Sequence, residues 1–369
     1  MTALLTLNPG SSSLKATVRD GGRVLLRVTV DRLGTDRGSI TVGAAQRPFT
    51  GGTGEAVDAI ARQLHRHRLP VSALAHRVVH GGPHHWEPQL VDDRLLADLR
   101  AAIPLAPLHL PGNLATVEHA RRAWPGLPQV ACFDTGFHAG LPPAAVRLPV
   151  PDELVRRGVR RYGFHGLSVR SVLDAHPELD QLVVAHLGSG CSATAVADGR
   201  PRHTTMSLTP TGGMMSATRT GDLDPEVVLY LIAEHGYDVP SLRELVDRQG
   251  GLAGIAGGRH DVRDLLAAAD DEAALALEVF ADSAARAIAG CATALDRWQA
   301  LVFTGGVGEH AGQLREAICA RLLAVRGSAG DADGSAAERL AATGLRVLVV
   351  PADEEAVLDR LAREVLGTG

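Results

Sequence analysis

Lysine is almost missing from this chain. Of its 37 basic residues 36 are arginine, and the one lysine is Lys15. Where only positive charge is wanted arginine serves, and a coding bias explains most of the replacement. A compact ammonium is harder to replace where it must touch a single phosphate oxygen, and Lys15 follows a Gly-Ser run. Aromatics are scarce too, at 3% of 369 residues, which argues against a stacking surface for single-stranded nucleic acid. No basic excess exists: the formal net charge is -5, so the footprint of a nucleic-acid binder is missing. Cys132, Cys191, Cys291 and Cys319 lie far apart with no C-x-x-C pair. That excludes a disulfide scaffold or zinc ribbon and fits a reducing cytoplasm. The opening MTALLTLNPG has no basic n-region and a short apolar run, so neither a signal peptide nor a membrane span is expected.

What is present is an ordinary globular balance, 45% hydrophobic and 21% charged. At roughly 150 residues per domain the length predicts about two domains. A repeat at an offset of 178 supports that division. LLTLNPGSSSLKATVRDGGR (4–23) and LVVAHLGSGCSATAVADGRP (182–201) each give an apolar strand, a small-residue turn, an alternating strand and Asp-Gly, a hairpin signal. VACFDTG (130–136) and LVFTGGVG (301–308) then each place an apolar strand before a Thr-Gly turn. We read a duplication of two α/β halves. Periodicity predicts helices at 54–68, 92–103, 113–124, 167–175, 224–235, 241–248, 271–298 and 354–366. Further strands are predicted at 73–79, 129–133, 181–186, 300–303 and 345–350. The segment 326–338 is poor in apolar residues and reads as a surface loop. Such halves favour α/β layers with a cleft between two lobes.

The chemistry-bearing strings fall at strand ends. Asn8-Pro9-Gly10-Ser11-Ser12-Ser13-Leu14-Lys15 offers crowded backbone N–H groups, hydroxyls and an ammonium to a phosphate, without the spacing of a P-loop. Its repeat partner, His186-Leu187-Gly188-Ser189-Gly190, makes a pair of hairpins suited to a nucleotide's phosphates. Gly305-Gly306-Val307-Gly308-Glu309-His310 ends a strand and opens a helix, as at a nucleoside end. Arg77 (HRVVHGG) and Arg219 (TRTGDLDP) suit an acidic substrate, although most arginines are plain surface charge. His109 (LAPLH) and His165 (RYGFHG) sit in apolar surroundings where histidines are commonly hydrogen-bonded core residues. Asp134 (CFDTG) ends a predicted strand and faces a cleft in such folds. The cluster Asp353-Glu354-Glu355 reads first as helix capping.

NPGSSSLK, HRVVHGG, LAPLH, FDTGFH, RYGFHG, HLGSG, TRTGDLDP, FTGGVGE and PADEE, in that order over nearly the whole chain, resemble the acetate kinase family. The resemblance implies a duplicated ribonuclease-H-like (actin-like ATPase) α/β fold with two lobes and a central cleft. It implies a cytoplasmic homodimer that interconverts ATP and acetate with ADP and acetyl phosphate, using Mg2+ with Mn2+ as the alternative. Residues 1–138 with 355–369 would form the acid- and phosphate-binding lobe, and 139–354 the nucleotide-binding and dimerising lobe. By the same resemblance Asn8 and Glu354 place the metal, and Ser12 and Lys15 contact phosphate. Arg77 and Arg219 hold the carboxylate and the transferring group; Asp134 is the essential carboxylate; His109 and His165 serve the transition state. Val79, Leu108, Phe164 and Pro210 surround the acetate methyl. The nucleotide follows His186, Leu187, Gly188, Ser189 and Gly190, then Asp261, Val262 and Arg263, then Gly306, Val307, Gly308, Glu309 and His310.

Four positions depart from the family pattern: Ser189, His310 and Asp353 stand where asparagine is usual, and Ala217 where glycine is. Three other readings accompany the main one. They are a propionate or other short-chain acyl kinase, an actin-like ATPase gating a partner, and a catalytically weak relative with a binding role. No nucleic acid or membrane partner is expected.

Overall fold

A computed structural model of the chain describes residues 3–10, 12–326 and 334–368. Ser11 and most of the expected 326–338 loop lie outside the described residues. The chain divides into two compact units, Met1–Ala139 with Asp353–Gly369, and Gly140–Ala352. The second break falls two residues ahead of the expected 354/355 boundary, and Asp353 stands with unit 1 as the cap of the last helix, its side chain accepting from Ala356 N at 2.9 Å.

Unit 1 carries β1 (Leu4–Pro9), β2 (Ser13–Asp20), β3 (Arg23–Asp31), β4 (Ser39–Val42), β5 (Ala45–Pro48), β6 (Ala73–Val78), β7 (Gln89–Leu90) and β8 (Gln129–Phe133) in one sheet, ordered β5-β4-β3-β2-β1-β6-β8-β7. β1, β2 and β3 run antiparallel through the two hairpins read from the repeat. β6 and β8 then join in parallel. Every residue of β1 and β8 is buried, as expected of strands covered on both faces. Helices α1 (Thr53–Arg66) and α3 (Leu110–Ala123) pack together, α2 (Asp93–Ala101) lies against α3, and α3 lies on β1 and β6. The helix Glu354–Leu366 packs on β1, β6 and β8. The core beneath joins Leu5, Leu7, Leu14, Val18, Val28 and Ile60.

Unit 2 repeats the plan. β9 (Gln181–Leu187), β10 (Cys191–Ala197), β11 (Arg200–Thr204), β12 (Ala300–Thr304) and β13 (Arg346–Val349) form a sheet ordered β11-β10-β9-β12-β13. Three antiparallel strands again lead to two parallel ones. The hairpins differ by one residue in register: Asn8 stands opposite Lys15, whereas His186, its counterpart in the repeat, stands opposite Ser192. The long helix Asp271–Ala292 packs on β9 and β10 through Ala276, Phe280, Ala284 and Ile288.

Several element expectations are corrected. The helix expected to reach 298 ends at Ala292, and the following chain is bent toward β12 by Gln181, whose Oε1 accepts from Arg297 N at 2.8 Å. The segment 241–248 begins earlier, at Val239, under an Asp238 cap, and changes to a π-helical turn over Leu245–Gln249. The expected loop to 338 closes sooner because Ser335 and Glu338 form a capping box for the helix Ala336–Ala342. The edge hairpin β4–β5 carries little buried surface, so no alternation marks it in the sequence. Among the described residues no helix is long and apolar enough to cross a membrane.

Two histidines of the HRVVHGG string are core residues. His76 donates from Nε2 to Gln129 at 2.8 Å and its buried Nδ1 has no partner; His80 accepts from Gly82 N at Nδ1, also at 2.8 Å. Burial pushes both imidazoles down to about 4. The unfolded rings therefore bind protons that the folded rings refuse. This stability is complete above about pH 6.5 and is lost as pH falls toward 4, by up to roughly 3 kcal/mol per ring. Urea denaturation at about pH 7.5 and about pH 5 is expected to show a lower midpoint in acid, and His76→Gln a smaller drop.

Candidate functional site

In unit 1 four strand or helix ends bring charged groups together. Arg77, near the end of β6, reaches Asp134, the residue just past β8. Its Nε and Nη2 donate to Asp134 Oδ2 at 2.9 and 2.5 Å. Asp134 is fully buried, and its Oδ1 has no hydrogen-bond partner. Burial drives its carboxyl upward in pKa and nearby Glu354 adds to the effect, while Arg77 opposes them. Burial alone would weaken the guanidinium's hold on its proton, but Asp134, Glu354 and Glu355 together raise it. Arg77 Nη1 also donates to Asn8 Oδ1 at 3.2 Å. Asn8 Nδ2 in turn donates to Glu354 Oε2 at 2.9 Å and Glu355 Oε1 at 3.1 Å. Sequence reasoning singles out Asn8, Arg77, Asp134 and Glu354, and the structure gathers all four. It misses Glu355 as a contact, because the acidic start of a helix is explained by capping alone.

Beside this cluster, Lys15 stands on β2 directly opposite Asn8 and is exposed. Ser12, Leu108 and His109 line a cavity of about 240 Å³ together with Pro9, Gly10 and Thr116. His109 caps α3 by position only, without a side-chain cap bond. Val79 is buried, and its N–H donates to Asn113 Oδ1 at 2.7 Å, which fixes the end of β6. Asn113 carries no sequence signal beyond its place in a predicted helix.

In unit 2 the focus is a pair of imidazoles. His165 occupies the left-handed region (φ 59°, ψ 25°) ahead of the helix Gly166–Ala175, a strained position for a residue with a Cβ. Its ring lies 4.2 Å from that of His186, tilted by 30°. Each ring is tied at Nδ1 to a buried serine: His165 to Ser192 at 3.0 Å and His186 to Ser168 at 2.8 Å. Arg219 donates from Nη1 to the Pro210 carbonyl at 3.1 Å. Gly190 is what allows these groups to meet, since a Cβ there would come within 2.8 Å of Arg219 Nη1 and 3.5 Å of the His165 ring. Gly305 plays the matching role behind His186: at φ +78° a Cβ would lie 2.7 Å from the Leu187 carbonyl. The structure thus joins the 186–190 turn, His165, Arg219 with Pro210, and the start of the helix Gly305–His310. Phe164 is buried beside His165 in sequence.

The 261–263 string behaves differently. Asp261 caps the helix Val262–Ala267 through Arg263 N and pairs with the Arg263 guanidinium at 2.6 Å, which holds its carboxyl down at about 2. Of the family departures, Ser189 and His310 are exposed, and Asp353 pairs with Arg19.

The unit 1 cluster offers carboxylate and amide oxygens, with no sulfur or imidazole. Such a set fits an oxygen-preferring divalent cation such as Mg2+ or Mn2+, and the buried, unpartnered Asp134 Oδ1 is a further oxygen that would accept a positive neighbour. Among the described residues no group of three or more His, Cys, Asp or Glu forms a metal cage by itself. Mg2+ characteristically takes one or two protein carboxylates and completes its shell from water and phosphate.

The Acetokinase family profile matches residues 3–360. The chain is similar to the acetate kinase of Pseudarthrobacter chlorophenolicus, 39% identical with 99% of each chain covered. Among solved structures it resembles a propionate kinase from Francisella tularensis at a TM-score of 0.88, 30% identity, and 98% of this chain and 99% of that one covered. It likewise resembles the Porphyromonas gingivalis acetate kinase at a TM-score of 0.84, 30% identity, and 99% and 100% covered. The two similar sheets are the halves of the duplicated ribonuclease-H-like, actin-like ATPase fold. With its strand order, its ordered motifs and its profile match in agreement, this chain belongs to the acetokinase family.

Proposed function

We propose that this chain is an acetate kinase, transferring the γ-phosphoryl group of ATP reversibly to acetate to give acetyl phosphate and ADP. The observation that carries the reading is end-to-end similarity to an acetate kinase, 39% identical over 99% of each chain. Phosphoryl transfer asks for alignment and charge stabilisation more than for covalent chemistry. Acetate is already ionised at neutral pH, so no general base is required. Its oxygen attacks the γ-phosphorus in line, a new P–O bond forms, and the bond to the β-phosphate oxygen breaks with its electron pair leaving on ADP.

Arg77 and Arg219 bind the carboxylate and the phosphoryl oxygens, and His165, assisted by His109, donates to the equatorial oxygens as charge spreads over them. Asp134 orients Arg77. Val79, Leu108, Phe164 and Pro210 exclude water around the methyl group. Ser12, Lys15, the turn 186–190, residues 261–263 and residues 306–310 hold the nucleotide. Asn8 and Glu354 hold Mg2+; when bound, the cation neutralises phosphate charge. Support for these roles comes from the ready-made contacts of each unit: Arg77 with Asp134 and Asn8, and Arg219 beside Gly190 and the His165–His186 pair.

A cytoplasmic homodimer is the proposed working form. The four cysteines are free and buried. The helix Pro225–His235 buries none of its residues, and it exposes Leu229, Tyr230 and Ile232 by 54%, 57% and 46%. Contiguous apolar surface of this kind is the usual mark of a protein interface. The propionate reading is kept because a propionate kinase is among the similar structures, and one methylene is worth only about 1–3 kcal/mol.

Acyl phosphate trapped as the hydroxamate, with ATP, Mg2+ and acids of one to four carbons, tests the activity and its range. The expected order is acetate first, with propionate roughly tenfold lower in kcat/KM. Arg219→Ala is expected to lose about 10²–10³ in kcat; unaltered turnover would remove it from the site. Light scattering of Leu229→Glu/Ile232→Glu is expected to give half the wild-type mass, and an unchanged dimer would place the interface elsewhere.

A further inference from the structure

The start of the helix Glu354–Leu366 is fixed at two points. One is Asn8, through Glu354 and Glu355. The other is Arg19 on β2, whose Nη2 lies 2.7 Å from both carboxylate oxygens of Asp353. Arg19 is deeply placed, with its side chain 7% exposed, while Asp353 is 47% exposed. The same Asp353 caps the helix through Ala356 N, and lower down Arg363 donates to the Arg19 carbonyl at 3.4 Å.

A guanidinium buried for a single acid is a poor device for stability alone, because desolvation offsets much of the attraction and an apolar residue could fill the same space. What the pair does supply is direction. Asp353 immediately precedes Glu354, so a fixed Asp353 fixes the backbone from which both Asn8-bound carboxylates project. An asparagine at this position could cap the helix and accept a hydrogen bond from Arg19, but only an aspartate forms the two-oxygen ion pair seen here.

We propose that the Arg19–Asp353 ion pair is a positioning device for the divalent-cation site, holding Glu354 in register with Asn8. This rests on the reading of Asn8 and Glu354 as the metal-bearing pair. Arg19 and Asp353 act through Glu354 and are positioning residues.

Charge alone and position make opposite forecasts. If the pair acted only through its field, removing Arg19 would strengthen cation binding and removing the Asp353 charge would weaken it. If it acts by position, both changes weaken binding. The experiment compares full-length wild type, Arg19→Met, Asp353→Asn, the double variant and Glu354→Gln. Mn2+ binding is read from the free-ion paramagnetic resonance signal at constant ADP, beside the Mg2+ dependence of activity and the melting temperature without metal. Both single variants are expected to weaken Mn2+ binding by about 3- to 10-fold, and the double variant no more than the worse single one. The kcat at saturating Mg2+ is expected to stay within about twofold.

Shifts of opposite sign, or a lowered melting temperature with unchanged Mn2+ affinity, overturn the proposal. If Glu354→Gln abolishes Mn2+ binding while the other variants leave it intact, the positioning role alone falls. If Glu354→Gln changes nothing, the metal reading falls and takes the positioning role with it. Should Arg19→Met fail to fold, Arg19→Gln, which also removes the charge but keeps a polar side chain at this position, takes its place, because the sign of the change at Arg19 is what separates field from position.

Discussion

The side-chain amide of Asn8 accepts from a guanidinium on one side and donates to two carboxylates on the other. Those partners come from a parallel strand and from the last helix, and they cannot stay in a buried place without such mutual satisfaction. An uncompensated charge there would cost several kcal/mol. The sheet order follows the same need, since β6 and β8 run parallel and deliver Arg77 and Asp134 at the same end. β1 between β2 and β6 delivers Asn8 beside them. The carboxylate-bearing cluster of unit 1 is thus a solution to a burial problem, whatever chemistry it serves.

The duplication makes the division of labour plain. Asn8 and His186 occupy equivalent places in the repeated hairpins, yet one organises carboxylates and the other lies against a tilted imidazole. The same order of five corresponding strands, β3-β2-β1-β6-β8 and β11-β10-β9-β12-β13, with different side chains carries a carboxylate cluster in one unit and an imidazole pair in the other. The one-residue difference in hairpin register belongs to that divergence, for it sets Lys15 opposite Asn8 and Ser192 opposite His186. Ser192 then holds the His165 ring.

Much of this is legible in the amino-acid sequence, because strands that are buried on both faces announce themselves as apolar runs, and glycine turns at fixed intervals mark hairpins. The repeat, the succession of strands and the residues at strand ends all belong to this class. Tertiary partnerships do not. Nothing in VRD at 18–20 says that Arg19 is buried, and Asp353 reads as a cap whether or not a guanidinium meets it. Asn113 and Ser168 look like ordinary helix residues until a backbone amide or an imidazole is seen beside them. The β4–β5 edge is invisible for a different reason, since exposed strands show no alternation. Helix ends move wherever a cap outside the periodic stretch, such as Asp238 or Ser335, decides them.

The last helix completes a sheet begun by the first strand, and 346 residues separate Asn8 from Glu354. During synthesis the imidazole unit is a continuous stretch and is free to collapse as it emerges, whereas the carboxylate unit waits with an open flank for its closing piece. A nascent chain halted shortly before residue 353 would keep Arg77 with Asp134 but lack Asp353, Glu354 and Glu355, the partners of Arg19 and Asn8. Closure of this half therefore waits on the residues from Asp353 onward, however early its strands have formed.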